Sequence, residues 1–127
     1  MNSMNKGTVL VVDDDPSIVD FLTEALEDEE YRVVTSVNGE SLRVAHDEQP
    51  DVILLDIMMP GMDGIEVSRR LRQNPATAEI PIVVMSARDR LRDTTRAMDI
   101  DGRLPKPFDL DFLYATVEHW MNGSRHP

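Results

Sequence analysis

The chain has 127 residues, no cysteine, and 24 acidic against 13 basic side chains, for a formal charge of −11. That length suits one domain with a full hydrophobic core, while the acidity argues against nucleic acid as a direct ligand, since phosphate contacts need clustered Lys and Arg. Without cysteine there is no disulfide framework, thiolate chemistry or Cys-based zinc site; the apolar runs are too short for a signal peptide or a membrane span, so a soluble, cytoplasmic protein is expected, open to a metal cation or a basic partner surface.

Residues Thr8–Val12 form the first expected strand, a continuous apolar run rich in β-branched residues. Asp15-Pro16 then supplies a cap followed by proline at the first helical position, and Ile18, Phe21, Leu22, Ala25 and Leu26 recur at spacings of three and four. Tyr31–Ser36 reads as a second, shorter strand, and Asn38-Gly39 opens a helix that runs to about Glu48. Val52–Leu55 is another uninterrupted apolar strand. Asp63-Gly64 begins a third helix carrying Ile65, Val67 and Leu71. Ile82–Met85 is the fourth strand, Arg88–Met98 the next helix, Arg103–Leu104 a short fifth strand, and Leu110, Leu113, Val117 and Trp120 mark the last helix. Strands that are apolar throughout, rather than alternating, suit a sheet covered on both faces. Strand and helix alternate five times, which points to an α/β fold: a doubly wound five-stranded parallel sheet with helices on both faces, flavodoxin-like, (βα)5.

In open sheets of this kind ligands bind outside the carboxyl ends of the strands. The first strand ends in Asp13-Asp14-Asp15, the third in Asp56, the fourth in Ser86-Ala87, and the last runs into Lys106-Pro107. Acids, a hydroxyl and a lysine therefore meet on one rim. An apolar run such as Val52-Ile53-Leu54-Leu55 ends in a carboxylate only if something offsets its desolvation, and the expectation is that Asp56 lies at the edge of the core among polar groups. Clustered carboxylates repel one another. A hard divalent cation relieves that repulsion, and magnesium takes one or two carboxylates while keeping waters for phosphate oxygens. Asp56 then becomes a candidate nucleophile toward phosphorus, with Lys106 and Ser86 as partners for the phosphoryl oxygens.

Four motifs in this order, V-L-V-V-D-D-D-P, D-V-I-L-L-D-I-M-M-P-G-M-D-G, I-P-I-V-V-M-S-A and L-P-K-P-F, make the chain resemble the receiver domain of two-component response regulators over essentially all of Thr8–Met121. The resemblance implies a single receiver domain over 1–127, with a core of about 7–122. It implies that Asp56 accepts a phosphoryl group from a sensor histidine kinase or phosphotransfer protein. Asp13, Asp14, Asp56 and the backbone carbonyl of Met58 would hold Mg2+. Ser86 would be the hydroxyl that moves toward the phosphoryl group, Lys106 would contact that group, and Lys106-Pro107 would be a cis peptide. The small Ala87 leaves room for entry, and Met58 and Arg88 fall where family members tune dephosphorylation. Such a domain is no conventional enzyme: it catalyses its own phosphotransfer and autodephosphorylation. One position departs from the family pattern. Arg103 stands where a Tyr or Phe usually swings inward, and a guanidinium is harder to bury than a ring. The segment from Met98 to Gly102 also lacks the common Gly-Ala pairing.

Other readings of these residues are plainer. Asp15 is expected to cap the first helix, Asp63-Gly64 to be a turn and helix start, and Pro60-Gly61 to shape the loop after Asp56. Met58-Met59 is loop packing apart from the Met58 carbonyl, and His46, His119 and His126 are surface residues. Arg88, Arg92 and Arg96 recur every four residues and form one stripe beside Asp89 and Asp93. That stripe reads either as a solvated face or, with Arg103, as an output surface for an acidic partner or a second copy of the domain. Among other functions, a phosphatase lacks the second acid expected two residues after the nucleophile, where Met58 stands. A flavin binder would need hydroxyls and amides where the strand ends carry acids. The alternative kept is a pseudo-receiver, a binding module that signals without phosphorylation.

Overall fold

A computed structural model describes residues 6–37, 39–57, 64–87 and 99–122. The elements are β1 (Thr8–Val12), α1 (Pro16–Asp28), β2 (Arg32–Ser36), α2 (Ser41–Glu48), β3 (Val52–Asp56), α3 (Gly64–Gln73), β4 (Ile82–Ala87), β5 (Gly102–Lys106) and α4 (Leu110–Asn122). Met58, Pro60-Gly61, Asp63 and the helix expected over Arg88–Met98, with Arg88, Arg92 and Arg96, lie outside the described residues. All strand pairings are parallel, in the order β2-β1-β3-β4-β5. The order reverses between β1 and β3, so the switch point of this sheet lies at Asp13 and Asp56.

Period-2 alternation divides the strand side chains between two cores. Val9, Val11, Val52, Leu54, Val83, Met85 and Leu104 face Leu22, Ala25 and Leu26 of α1 and Leu113 and Val117 of α4. Leu10, Val12, Ile53, Leu55, Ile82 and Val84 face Ala45 of α2 and Val67 and Leu71 of α3. Both faces of β3 are therefore dry, as its apolar run requires, and each fully buried Leu contributes about 1.5–3 kcal/mol. The two edge strands differ from the centre in the expected way. β2 has exposed Arg32 and Thr35, and β5 carries Pro105, whose missing N–H is tolerated where a strand has one neighbour only.

Local signals set several boundaries. The Asp15 side chain caps α1 by accepting from the Ser17 backbone N–H at 3.0 Å and from its hydroxyl at 2.8 Å, with Pro16 at the first turn. Those Ser17 bonds hold the Asp15 carboxyl below its ordinary value. Gly64 opens α3 against the chain just past the phosphoacceptor candidate: a Cβ there would stand 2.5 Å from the Ile57 Cα and 2.9 Å from the Asp56 carbonyl oxygen. Only glycine permits that approach.

Ser41, the first residue of α2, is 1 % exposed and its hydroxyl has no hydrogen-bond partner among the described residues. A buried hydroxyl without a partner costs about 1–3 kcal/mol, and Ala is also the better helix former. Ser41→Ala is therefore expected to stabilise the fold by about 1 kcal/mol or more, read as a raised urea midpoint with an unchanged slope. A lowered midpoint would mean that the hydroxyl has a partner after all.

Candidate functional site at the carboxyl ends of the strands

Strand register explains which side chains meet. Val12 pairs with Leu55, Asp56 with Met85, Ser86 with Pro105 and Ala87 with Lys106. Asp13 is thus level with Asp56. Both continue the alternation of the α1/α4 face, as does Lys106 beyond Leu104, so three charged side chains from three strands emerge on the same side of the sheet. Ser86 follows Val84 in the opposite phase and reaches the rim from the other face.

Asp13 is 1 % exposed; one carboxylate oxygen accepts from the Asp15 backbone N–H at 2.9 Å, the other from the Lys106 ammonium at 3.1 Å. The Lys106 Nζ also lies 3.6 Å from Asp56 Oδ2. Asp56 is the last residue of β3 and is only 6 % exposed. It sits at the end of the buried strand with the Lys106 ammonium beside it, at the edge of the core and next to a polar group. The ammonium between the two carboxylates offsets the desolvation and mutual repulsion that such a placement entails. The Lys106-Pro107 peptide is cis.

Ser86 is 1 % exposed and its Oγ has no hydrogen-bond partner among the described residues. An orphaned buried hydroxyl at the end of a strand beside Asp56 is a donor waiting for an acceptor. Asp14 follows Asp13 half-buried. Among the described residues no group of three or more acid or histidine side chains forms a metal cage by itself. The preformed donors are the Asp13 and Asp56 carboxylates, all oxygen, which suits a hard cation that binds through one or two carboxylates and keeps its waters.

Arg103 is exposed. It lines a shallow groove of about 340 Å³ with Asp101, Phe112, His119 and Trp120, between β5 and α4. Its guanidinium stays in the wet groove, as the cost of burying it in a dry pocket requires. Missing from the sequence reading was a buried ion pair at the other end of the sheet. Arg72 of α3 donates to Asp101 Oδ2 at 2.6 Å, and both side chains are under 10 % exposed, at 9 % and 8 %. No helix of the described residues is long and apolar enough to cross a membrane.

Comparison with known proteins agrees with this geometry. The family model of the response regulator receiver domain matches residues 9–118. The chain is 38 % identical over 112 residues to the DNA-binding dual master transcriptional regulator RpaA of Synechocystis, covering 86 % of this chain and 46 % of that protein. It is 33 % identical over 118 residues to protein PilH of Pseudomonas aeruginosa, covering 91 % of this chain and 98 % of PilH. Its fold matches the crystal structure of the receiver domain of a sensor histidine kinase from Pseudomonas aeruginosa, which has magnesium coordinated in its active-site cleft, with a TM-score of 0.84 at 25 % identity over 92 % of this chain and 98 % of that one. The chain spans about half or less of several of the curated regulators it matches. Five parallel strands in the order 2-1-3-4-5, acids at the switch point and the matched family model together settle the assignment: the chain belongs to the response regulator receiver domain family.

Proposed function

We propose that this domain is a phosphoacceptor switch of a two-component phosphorelay, acting in the cytoplasm, with Asp56 as the acceptor. The observation that carries the reading is the Lys106 ammonium held between the carboxylates of Asp13, at 3.1 Å, and Asp56, at 3.6 Å. In the forward step an Asp56 carboxylate oxygen bonds to phosphorus while the P–N bond to the donor's phosphohistidine breaks. The products are an acyl phosphate on Asp56 and an imidazole that takes up a proton. Lys106 turns toward the phosphoryl oxygens as a point charge, and the unpartnered Ser86 hydroxyl donates to another. Asp13, Asp14, Asp56 and the Met58 carbonyl would hold Mg2+, which when bound supplies positive charge at the phosphoryl oxygens. Water attacking phosphorus breaks the same P–O bond and returns Asp56 and inorganic phosphate. The reading is tested by whether Asp56 gains a phosphoryl group only when magnesium is supplied.

The signal leaves, in this reading, through the face formed by the segment 88–98, β5 and α4, where Arg88, Arg92, Arg96 and Arg103 meet an acidic partner or a second copy of the domain. Arg88, Arg92 and Arg96 recur every four residues in the sequence of a strongly acidic chain, and charge complementarity sets partner choice and encounter rate. Arg92→Glu with Arg96→Glu is expected to weaken phosphorylation-dependent self-association or partner binding about tenfold or more, measured by light scattering or titration calorimetry. Unchanged association would exclude this face. Signalling without phosphorylation is the second reading, favoured by the exposed Arg103, which offers no ring to swing inward.

A further inference from the structure

At the end of the sheet opposite Asp56, Lys6, Glu29, Tyr31, Tyr114, Glu118 and Met121 line a cavity of about 240 Å³. It has no part in phosphoryl chemistry. Tyr31 is 5 % exposed, yet its hydroxyl makes no hydrogen bond among the described residues. Tyr31 thus brings to the cavity wall a phenol oxygen that no described residue engages. Tyr114 adds a second phenol, and Glu29 and Glu118 add two carboxylates. Burial, then Glu118 and Glu29, push the Tyr31 phenol up. Burial, then Glu29, Asp28 and Asp111, do the same to Tyr114. The cavity therefore lies in a negative field and has aromatic walls.

The chain itself shows what such a place accepts. The Lys6 ammonium stands over the Tyr31 ring, 5.9 Å from its centroid, within the range at which a ring face attracts a cation. Lys6 is held there by its backbone, whose N–H donates to the Glu30 carbonyl at 3.1 Å. The cavity lining offers a primary ammonium on an alkyl chain a ring face, phenol oxygens and two carboxylates as acceptors, with Met121 for its methylenes.

We propose that this cavity is a binding site for an alkylammonium cation, with Lys6 as its resident competitor. The same chemistry is presented by a free diamine and by a lysine side chain of another protein. The test is titration of the ¹⁵N-labelled full chain at constant ionic strength with putrescine in one arm and Nα-acetyl-lysine methylamide in the other. Saturable shifts confined to residues around Tyr31, Tyr114 and Glu118 are expected. Preference for putrescine would identify a free amine, and preference for the lysine compound a protein side chain. Glu118→Gln and Tyr31→Phe should each weaken binding about threefold or more, and Lys6→Gln should tighten it by a similar factor. Arg43→Gln, a remote change of the same charge, should move it less. Shifts spread over the whole acidic surface, or an affinity indifferent to Glu118→Gln, would overturn the proposal. Asp56→Asn should leave binding unchanged, so the site stands or falls independently of phosphorylation.

Discussion

Arg72→Ala is expected to destabilise the domain by about 3–5 kcal/mol, the loss typical of removing one partner from a buried ion pair. Against a total stability of about 5–15 kcal/mol for a domain, that is enough to leave a large unfolded fraction. The guanidinium of Arg72 ties four parts of the chain. One nitrogen donates to Asp101 Oδ2 at 2.6 Å, a second to the Ile80 and Ala78 carbonyls at 2.8 and 3.2 Å, and the third to the Asp99 carbonyl at 3.2 Å. Asp101 Oδ2 also accepts from the Ile82 N–H at 2.9 Å, so the pair joins α3 to the starts of β4 and β5. Truncating Arg72 takes the guanidinium away from a carboxylate that is 8 % exposed, and three carbonyls lose a donor. Arg72→Lys keeps the charge but not the fork and should fall between wild type and Arg72→Ala. As a contrast, Arg32→Ala removes an exposed pair with Glu48, 54 % and 37 % exposed, and should cost about 0–1 kcal/mol. Urea unfolding followed by circular dichroism reads all three. An Arg72→Ala midpoint close to that of Arg32→Ala would contradict the role assigned to the pair.

The second large effect is chemical. Asp56→Asn removes the nucleophilic oxygen and should abolish phosphoryl uptake, while keeping the shape of the β3 end. Lys106→Ala leaves the fold's donors Asp13 and Asp56 without the ammonium between them, at 3.1 and 3.6 Å in the intact protein. Loss of one preorganised charge at a developing phosphoryl oxygen should slow uptake by about 10²- to 10³-fold. The two variants are expected to differ in kind: no acyl phosphate at any time with Asp56→Asn, and slow accumulation with Lys106→Ala. Equal and complete loss in both would mean that Lys106 is needed to hold Asp56 in place rather than to stabilise the transferring group.

Long-range placement was more legible in this chain than local detail. Uninterrupted apolar runs at Thr8–Val12 and Val52–Leu55 announced buried parallel strands, because a sheet covered on both faces leaves no alternation. The rule that ligands gather at strand carboxyl ends then selected Asp13, Asp56, Ser86 and Lys106 from positions far apart in sequence, and the structure brings Asp13, Asp56 and Lys106 into ion-pair distance. Asp15 reads as a cap from its proline neighbour, and it is one. Strand ends shifted by one or two residues, as at Tyr31, which precedes β2, and Ala87, which closes β4. The Arg72–Asp101 pair carried no signal: an arginine beside Leu71 on a helix reads as a solvated face, and only tertiary contact with the start of β5 buries it. The orphaned Ser41 hydroxyl was equally silent, since Ser at a helix start suggests a cap. Whether Arg103 faces inward or outward was also open until its groove with Trp120 and Phe112 was seen.

The central claim, that Asp56 is a magnesium-dependent phosphoacceptor, is tested most directly by intact mass spectrometry after incubation with a small phosphodonor. Wild type and Asp56→Asn are compared with magnesium and with excess chelator. The account predicts a gain of one phosphoryl group in the wild type with magnesium, none with chelator, and none in Asp56→Asn under either condition. A phosphoryl group that still appears on Asp56→Asn, or a wild type that remains unmodified by every phosphodonor and phosphohistidine donor supplied, would contradict it.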